Sequence, residues 1–226
     1  MSSDTSADTA IGPFRPSWDA DPLVPADLSV AVRFFRETLD PALDRDWSVP
    51  AGSLEMGCRD VLDHLASALA YYAGQIATGT PVRRVPIRDG EATHTAAELL
   101  EIVETAATIV QRVAEATPPE SRAYHRMGSA DVEGFVAMGC VEITVHAWDI
   151  ANGLGVAFDP PAELLPKLLN RLFPWAPTGH DAWATFLYCV GRIPLGDLPH
   201  QHKAWGWHAA PREEWDGGPS AVWAMG

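Results

Sequence analysis

The chain has 226 residues, enough for one sizeable core or a core with an extension. Its net charge is −14 and its pI about 4.8, with no Lys/Arg cluster to neutralise phosphates, which argues against a nucleic-acid partner. The three cysteines, Cys58, Cys140 and Cys189, are widely spaced without a CxxC, so they form neither a disulfide framework nor a zinc ribbon and fit a reducing cytoplasm.

The N-terminal MSSDTSADTA is acidic and polar, unlike a signal peptide, and residues 1–24 are expected to be a flexible lead-in. Leu28, Val32, Phe35 and Leu39 recur at helical spacing and predict a first helix over about 26–43, weakened by Pro41. A second helix is expected from Gly57 or Cys58 to Thr78, with Val61, Leu65, Ala68, Leu69, Tyr72 and Ile76 as its apolar face. His64 lies at the rim of that face. Residues 79–94 form a basic loop with Arg83, Arg84 and Arg88. Arg83 and Arg84 suit an anionic cofactor, although a solvated loop is the plainer reading.

A third helix, about 95–116, opens on a capping box from Thr95 and Glu98 and stops at Pro118 and Pro119. The loop after it carries His125. The fourth helix, about 130–151 and closed by Gly153, is apolar almost all round, yet carries Glu142 and His146 at i, i+4. That spacing stacks the two side chains on one face, with Asp149 one turn further on. The four ionisable residues Glu133, Glu142, His146 and Asp149 argue against a membrane span. Two more helices are expected over 161–173 and 181–190. Beyond them comes a Trp-rich tail, in which Trp205 and Trp207 suggest a short strand.

A carboxylate inside an apolar helix is costly unless paired or metal-bound. Glu142 and His146 therefore read either as a hydrogen-bonded pair that sets helix register or as two ligands of a metal. Two ligands from one helix do not complete a zinc site, and His64 is the candidate third.

The segments DVLDHLA (residues 60–66) and GFVAMGCVEITVHAWDIANGLG (residues 134–155) resemble the mycothiol-dependent maleylpyruvate isomerase family of the DinB-like superfamily. The resemblance runs through residues 25–155. It implies an all-α fold: a DinB-like four-helix bundle of antiparallel type over 25–155, with a small C-terminal α/β extension over 156–226. It also implies a divalent metal on His64, Glu142 and His146, zinc first and nickel second. The resemblance further implies mycothiol as thiol cosubstrate and a small electrophilic substrate as partner, isomerised or joined to sulfur. Asp149 is then a candidate to orient a ligand, and His125 to face the open side of the metal. The family often has a serine where Gly57 stands and a basic residue between two tryptophans where Gly206 stands. Its isomerase uses a C-terminal arginine, for which Arg192 and Arg212 are candidates. Two other functions stay open at this point: a thiol-independent reaction such as a cyclisation, and a non-catalytic ligand-binding or stress protein.

Overall fold

Local sequence signals set the ends of most helices in the computed structural model, which describes residues 18–80, 93–202 and 204–217. Helix α1 (Asp27–Leu39) stops four residues short of the expected Leu43, because Pro41 offers no N–H and the chain tightens into a 3₁₀ turn over Asp40–Ala42. Helix α2 (Cys58–Thr78) starts after an extended Gly57 and ends at Gly79, whose φ of 55° is the left-handed conformation that glycine adopts without strain. Helix α3 (Ala96–Ala116) has the expected capping box. The Thr95 hydroxyl accepts from the Glu98 N–H at 3.3 Å, and the Glu98 carboxylate accepts from the Thr95 N–H at 2.8 Å. Helix α4 (Val132–Leu154) is capped by Asp131, which accepts from the Gly134 N–H at 2.8 Å.

The end of α4 corrects one expectation. Its left-handed cap is Gly155, and Gly153 lies inside the helix. Gly153 is there for closeness: a Cβ on it would lie 2.7 Å from Cys58 Sγ and would collide with the Pro50 carbonyl.

Four contacts between helix ends fix the directions. Arg59 at the start of α2 donates to the His94 carbonyl, just before α3, at 2.9 Å. Tyr124, beyond α3, donates from its backbone to the Thr80 carbonyl, beyond α2, at 2.7 Å. Thus α2 and α3 are parallel. Gly153 at the end of α4 meets Cys58 at the start of α2, so these two helices are antiparallel. Leu23, ahead of α1, donates to Glu133 in the first turn of α4 at 3.1 Å, and α1 runs with α4. The bundle is therefore up-down-down-up. The expectation of an antiparallel-type bundle holds for α2 against α4 and not for α2 against α3. Packing of α1 on α3 and α4, and of α2 on α3 and α4, gives the cyclic order α1–α3–α2–α4.

Helix α4 is the core element. Phe135, Val136, Met138, Val141, Ile143, Val145 and Ile150 are all buried, each such side chain contributing about 1.5–3 kcal/mol. Among the described residues it alone has the length and apolarity of a membrane span, and 89% of that window is buried inside the protein, as in a core helix.

Helices α5 (Leu165–Leu172) and α6 (Ala182–Cys189) follow, shorter than expected. Arg171, on α5, is buried. It pairs with Asp131 at 2.6 Å and donates to the Ala210 carbonyl at 3.0 Å, so one guanidinium ties α5, the tail and the cap of α4 together. No strand forms around Trp205 and Trp207, and the described part of the extension is helix and coil. Trp207 is buried beside His125, and the next N–H, of His208, donates to the Leu172 carbonyl at 2.8 Å, closing the end of α5 where a ladder partner would have been needed for a strand. Residues 18–24, expected within a flexible lead-in, lie against the bundle instead: Leu23 is buried, and Asn170 donates to the Ala20 carbonyl at 3.2 Å.

The close approach at Gly153 gives a direct test. Gly153→Ala adds a methyl group against backbone on one side and sulfur on the other. We expect a loss of about 1–3 kcal/mol in urea unfolding despite the better helix propensity of alanine. Gly155→Ala, which has open space but a φ of 67°, tests backbone strain at the neighbouring glycine separately.

Candidate metal centre

The antiparallel pairing of α2 and α4 brings His64 opposite Glu142 and His146. His146 Nε2 lies 3.2 Å and His64 Nε2 3.9 Å from the same oxygen, Glu142 Oε2. One ligand atom from each of the three lies within 4.8 Å of the others, and among the described residues this is the one group of three or more such side chains. The imidazole rings of His64 and His146 meet edge to face with centroids 5.4 Å apart. Glu142 and His146 are nearly buried, whereas the His64 side chain is 50% exposed, so the group opens to solvent on the His64 side.

The second nitrogen of His146 is also committed. Nδ1 donates to Asp149 Oδ2 at 3.0 Å, and Asp149 is wholly buried. Asp149 in turn accepts from Arg192 Nη2 at 2.7 Å and Nε at 3.0 Å, a two-pronged ion pair. Arg192, one of the two candidates for a C-terminal arginine, thus reaches the site by way of Asp149. Arg212 lies in a separate 3₁₀ turn over Arg212–Glu214. On the other side, Tyr72 donates its hydroxyl to Glu142 Oε1 at 3.2 Å.

This arrangement calls for a cation. With Nδ1–H directed at Asp149, the Nε2 of a neutral His146 would carry a lone pair facing the Glu142 carboxylate. Either a proton or a metal ion must lie between them. Without a metal the proton stays. Burial works against the charge on His146, but its bonds to Asp149 and Glu142 prevail and raise its pKa to about 9. Burial likewise opposes the charge on Glu142, and His146, His64 and Tyr72 together hold its pKa down at about 2. His64 is shifted down, its desolvation outweighing the attraction of Glu142. Two imidazoles and one carboxylate, with a carboxylate behind one imidazole, are a donor set that could hold a metal ion.

The other expected residues fall elsewhere. His125 is buried in a box of Tyr71, Tyr72, Phe135 and Trp207, with Nδ1 accepting from the Met127 N–H at 3.2 Å. The structure does not bring it into the triad. Arg83, Arg84 and Arg88 lie outside the described residues. A groove of about 450 Å³ between α1 and α3, lined by Arg33, Arg36, Glu104 and Gln111 among others, holds no metal-binding cluster. Sequence reasoning placed Tyr72 only on an apolar face. Its position two turns beyond His64 was the available signal. The pairing of Arg192 with Asp149 spans 43 residues and had no local signal.

Removing Arg192 leaves the buried Asp149 with His146 as its remaining charged partner, and removing Asp149 leaves the guanidinium without its carboxylate. Arg192→Met is expected to cost about 3–5 kcal/mol in denaturant unfolding. The double variant Asp149→Asn/Arg192→Met should recover part of that loss, and strict additivity would show that the two do not interact.

No curated protein and no solved structure matched the chain. The family model for the mycothiol maleylpyruvate isomerase N-terminal domain matches residues 28–151, which contain α1 but for its first residue, α2, α3, most of α4 and all three triad residues. This chain belongs to the mycothiol maleylpyruvate isomerase N-terminal domain family.

Proposed function

We propose that this protein is a metal-dependent enzyme that uses an external thiol, mycothiol, to isomerise a small electrophile or transfer sulfur to it. The observation that carries the reading is the single carboxylate oxygen of Glu142 faced by the Nε2 atoms of both His64 and His146. These three residues would hold the metal, zinc first and nickel second, in the bundle segment 25–155. When bound, a divalent metal holds a thiol as thiolate near neutral pH.

The chain's own residues supply the rest. Asp149 holds the His146 ring by Nδ1 and keeps its Nε2 turned inward. Arg192, from the extension 156–226, fixes Asp149. His125 braces Tyr72 from its aromatic box. Arg83 and Arg84 are assigned to the anionic part of the thiol or substrate. His64, half exposed, marks the side from which small molecules enter.

The protein's own cysteines do not compete for the chemistry. Burial raises Cys58 to about 11 and Cys189 to about 12, and pushes Cys140 higher still. The nucleophilic sulfur must come from outside, and a reducing cytoplasm suits both these free thiols and a thiol cosubstrate. A thiolate adds to an electrophilic alkene, allows rotation about the former double bond and leaves again, which is isomerisation. Displacement of a leaving group by the same thiolate is S-transfer.

Elemental analysis of protein purified without added metal tests the reading. We expect near-stoichiometric zinc or nickel, lost in His64→Ala/His146→Ala. Mycothiol should raise the melting temperature of the metal-loaded protein and not of the double variant. Turnover undiminished after chelation would favour a thiol-independent reaction. A metal-free protein without turnover, destabilised by Glu142→Ala, would favour a structural polar cluster.

The raised pKa of His146 adds a pH test. Below about 9 the metal-free site carries a proton that an incoming metal must displace. Apparent metal affinity should therefore fall as pH falls, by about tenfold per unit. Calorimetry at pH 7.5 in buffers of different ionisation enthalpy should show roughly one proton released per metal bound. Affinity independent of pH in this range would place His146 outside the coordination sphere.

A further inference from the structure

Resting on the metal site proposed above, we propose that Tyr72 is a positioning residue that makes Glu142 a one-oxygen ligand. The two carboxylate oxygens have different surroundings. Oε2 faces both imidazoles, at 3.2 Å and 3.9 Å, and Oε1 accepts the Tyr72 hydroxyl at 3.2 Å. An ionised carboxylate only accepts, so the phenol is the donor, and the oxygen it occupies is drawn away from the metal side.

The phenol is held where it is needed. Tyr72 is buried, and its ring packs on Tyr71, His125 and Phe135 with centroids 5.5, 6.1 and 5.9 Å away. It lies two turns beyond His64 on α2, and long side chains on a helix lean toward the N-terminus, which carries its hydroxyl back toward the His64 level. One helix therefore supplies both a ligand and the group that orients a ligand on the facing helix.

The chemical consequence is an open site. A carboxylate binding through both oxygens would fill one further coordination position. With Oε1 held by Tyr72, that position stays available for the thiol or the substrate. The side chain that sets coordination number is thus an aromatic residue that itself stays off the metal.

Tyr72→Phe keeps the ring and removes the hydroxyl. The test loads wild type and variant with Co²⁺ and records metal affinity by chelator competition together with the visible spectrum. We expect a native circular dichroism spectrum and a 10- to 100-fold loss of metal affinity. The cobalt bands should weaken as the freed oxygen binds and coordination number rises. Tyr71→Phe is the control, since the Tyr71 hydroxyl donates to the Tyr124 carbonyl at 3.3 Å. It should leave cobalt affinity and spectrum unchanged. An unchanged spectrum and affinity in Tyr72→Phe overturns the proposal, as does an equal change in both variants. X-ray absorption on zinc-loaded wild type needs no variant: one near carboxylate oxygen supports the proposal and two equivalent ones refute it. Wild type that binds neither metal removes the metal site itself, whereas wild type that binds metal with both Glu142 oxygens removes only the role of Tyr72.

Discussion

Two carboxylates on the most buried helix of the bundle, with one imidazole between them, set the terms for the rest of the site. Glu142 and Asp149 stand about two turns apart on α4, and His146 offers a nitrogen to each. Neither carboxylate is tolerable alone in that interior. Asp149 is answered by Arg192, which comes from beyond α6, and Glu142 is answered by Tyr72 and by His146, with His64 facing the same oxygen. The extension is thus part of the electrostatic solution for α4, and it is fastened at the other end of the same helix by Arg171 on Asp131. Two buried guanidiniums, one at each end of α4, fasten the extension to the bundle.

The part of this that was legible in sequence is the part with a period. Among the described residues, α1 to α6 all fall where helices were expected, the Thr95–Glu98 box gave the start of α3 to the residue, and the i, i+4 spacing of Glu142 and His146 put both on one face. His64 was found because a rim histidine on one helix could complete a pair on another. Helix ends were less legible where one residue type serves two purposes. Gly153 and Gly155 are equivalent to a reader of sequence. The first permits close packing on Cys58 and the second a left-handed turn, and only the neighbours of each tell them apart. Trp205 and Trp207 have the alternation of a strand, but a strand needs a partner. Here the backbone N–H of His208, next to Trp207, goes to the end of α5 instead. Direction was illegible too: no periodicity says that α2 and α3 are parallel, and the contacts of Arg59 and Tyr124 were needed for that.

Charge balance links the triad to the choice of ligand. Glu142 and Asp149, both held in their ionised forms, contribute two negative units. Arg192 offsets one. In the metal-free protein the proton on His146 offsets the other, and the cluster is neutral, as a buried cluster should be. Exchange of that proton for a divalent cation leaves one positive unit in excess, while His64, shifted down by burial, stays uncharged. A neutral thiol or a water molecule does not remove the excess, and a thiolate does. With the proposed metal in place, the arrangement of Asp149 and Arg192 would favour an anionic sulfur over its protonated form through charge alone. Without Arg192 the same cluster with its metal would already be neutral, and the preference for an anion would weaken. On the proposed reading, the arginine that fastens the extension would also set the charge that the incoming ligand has to carry.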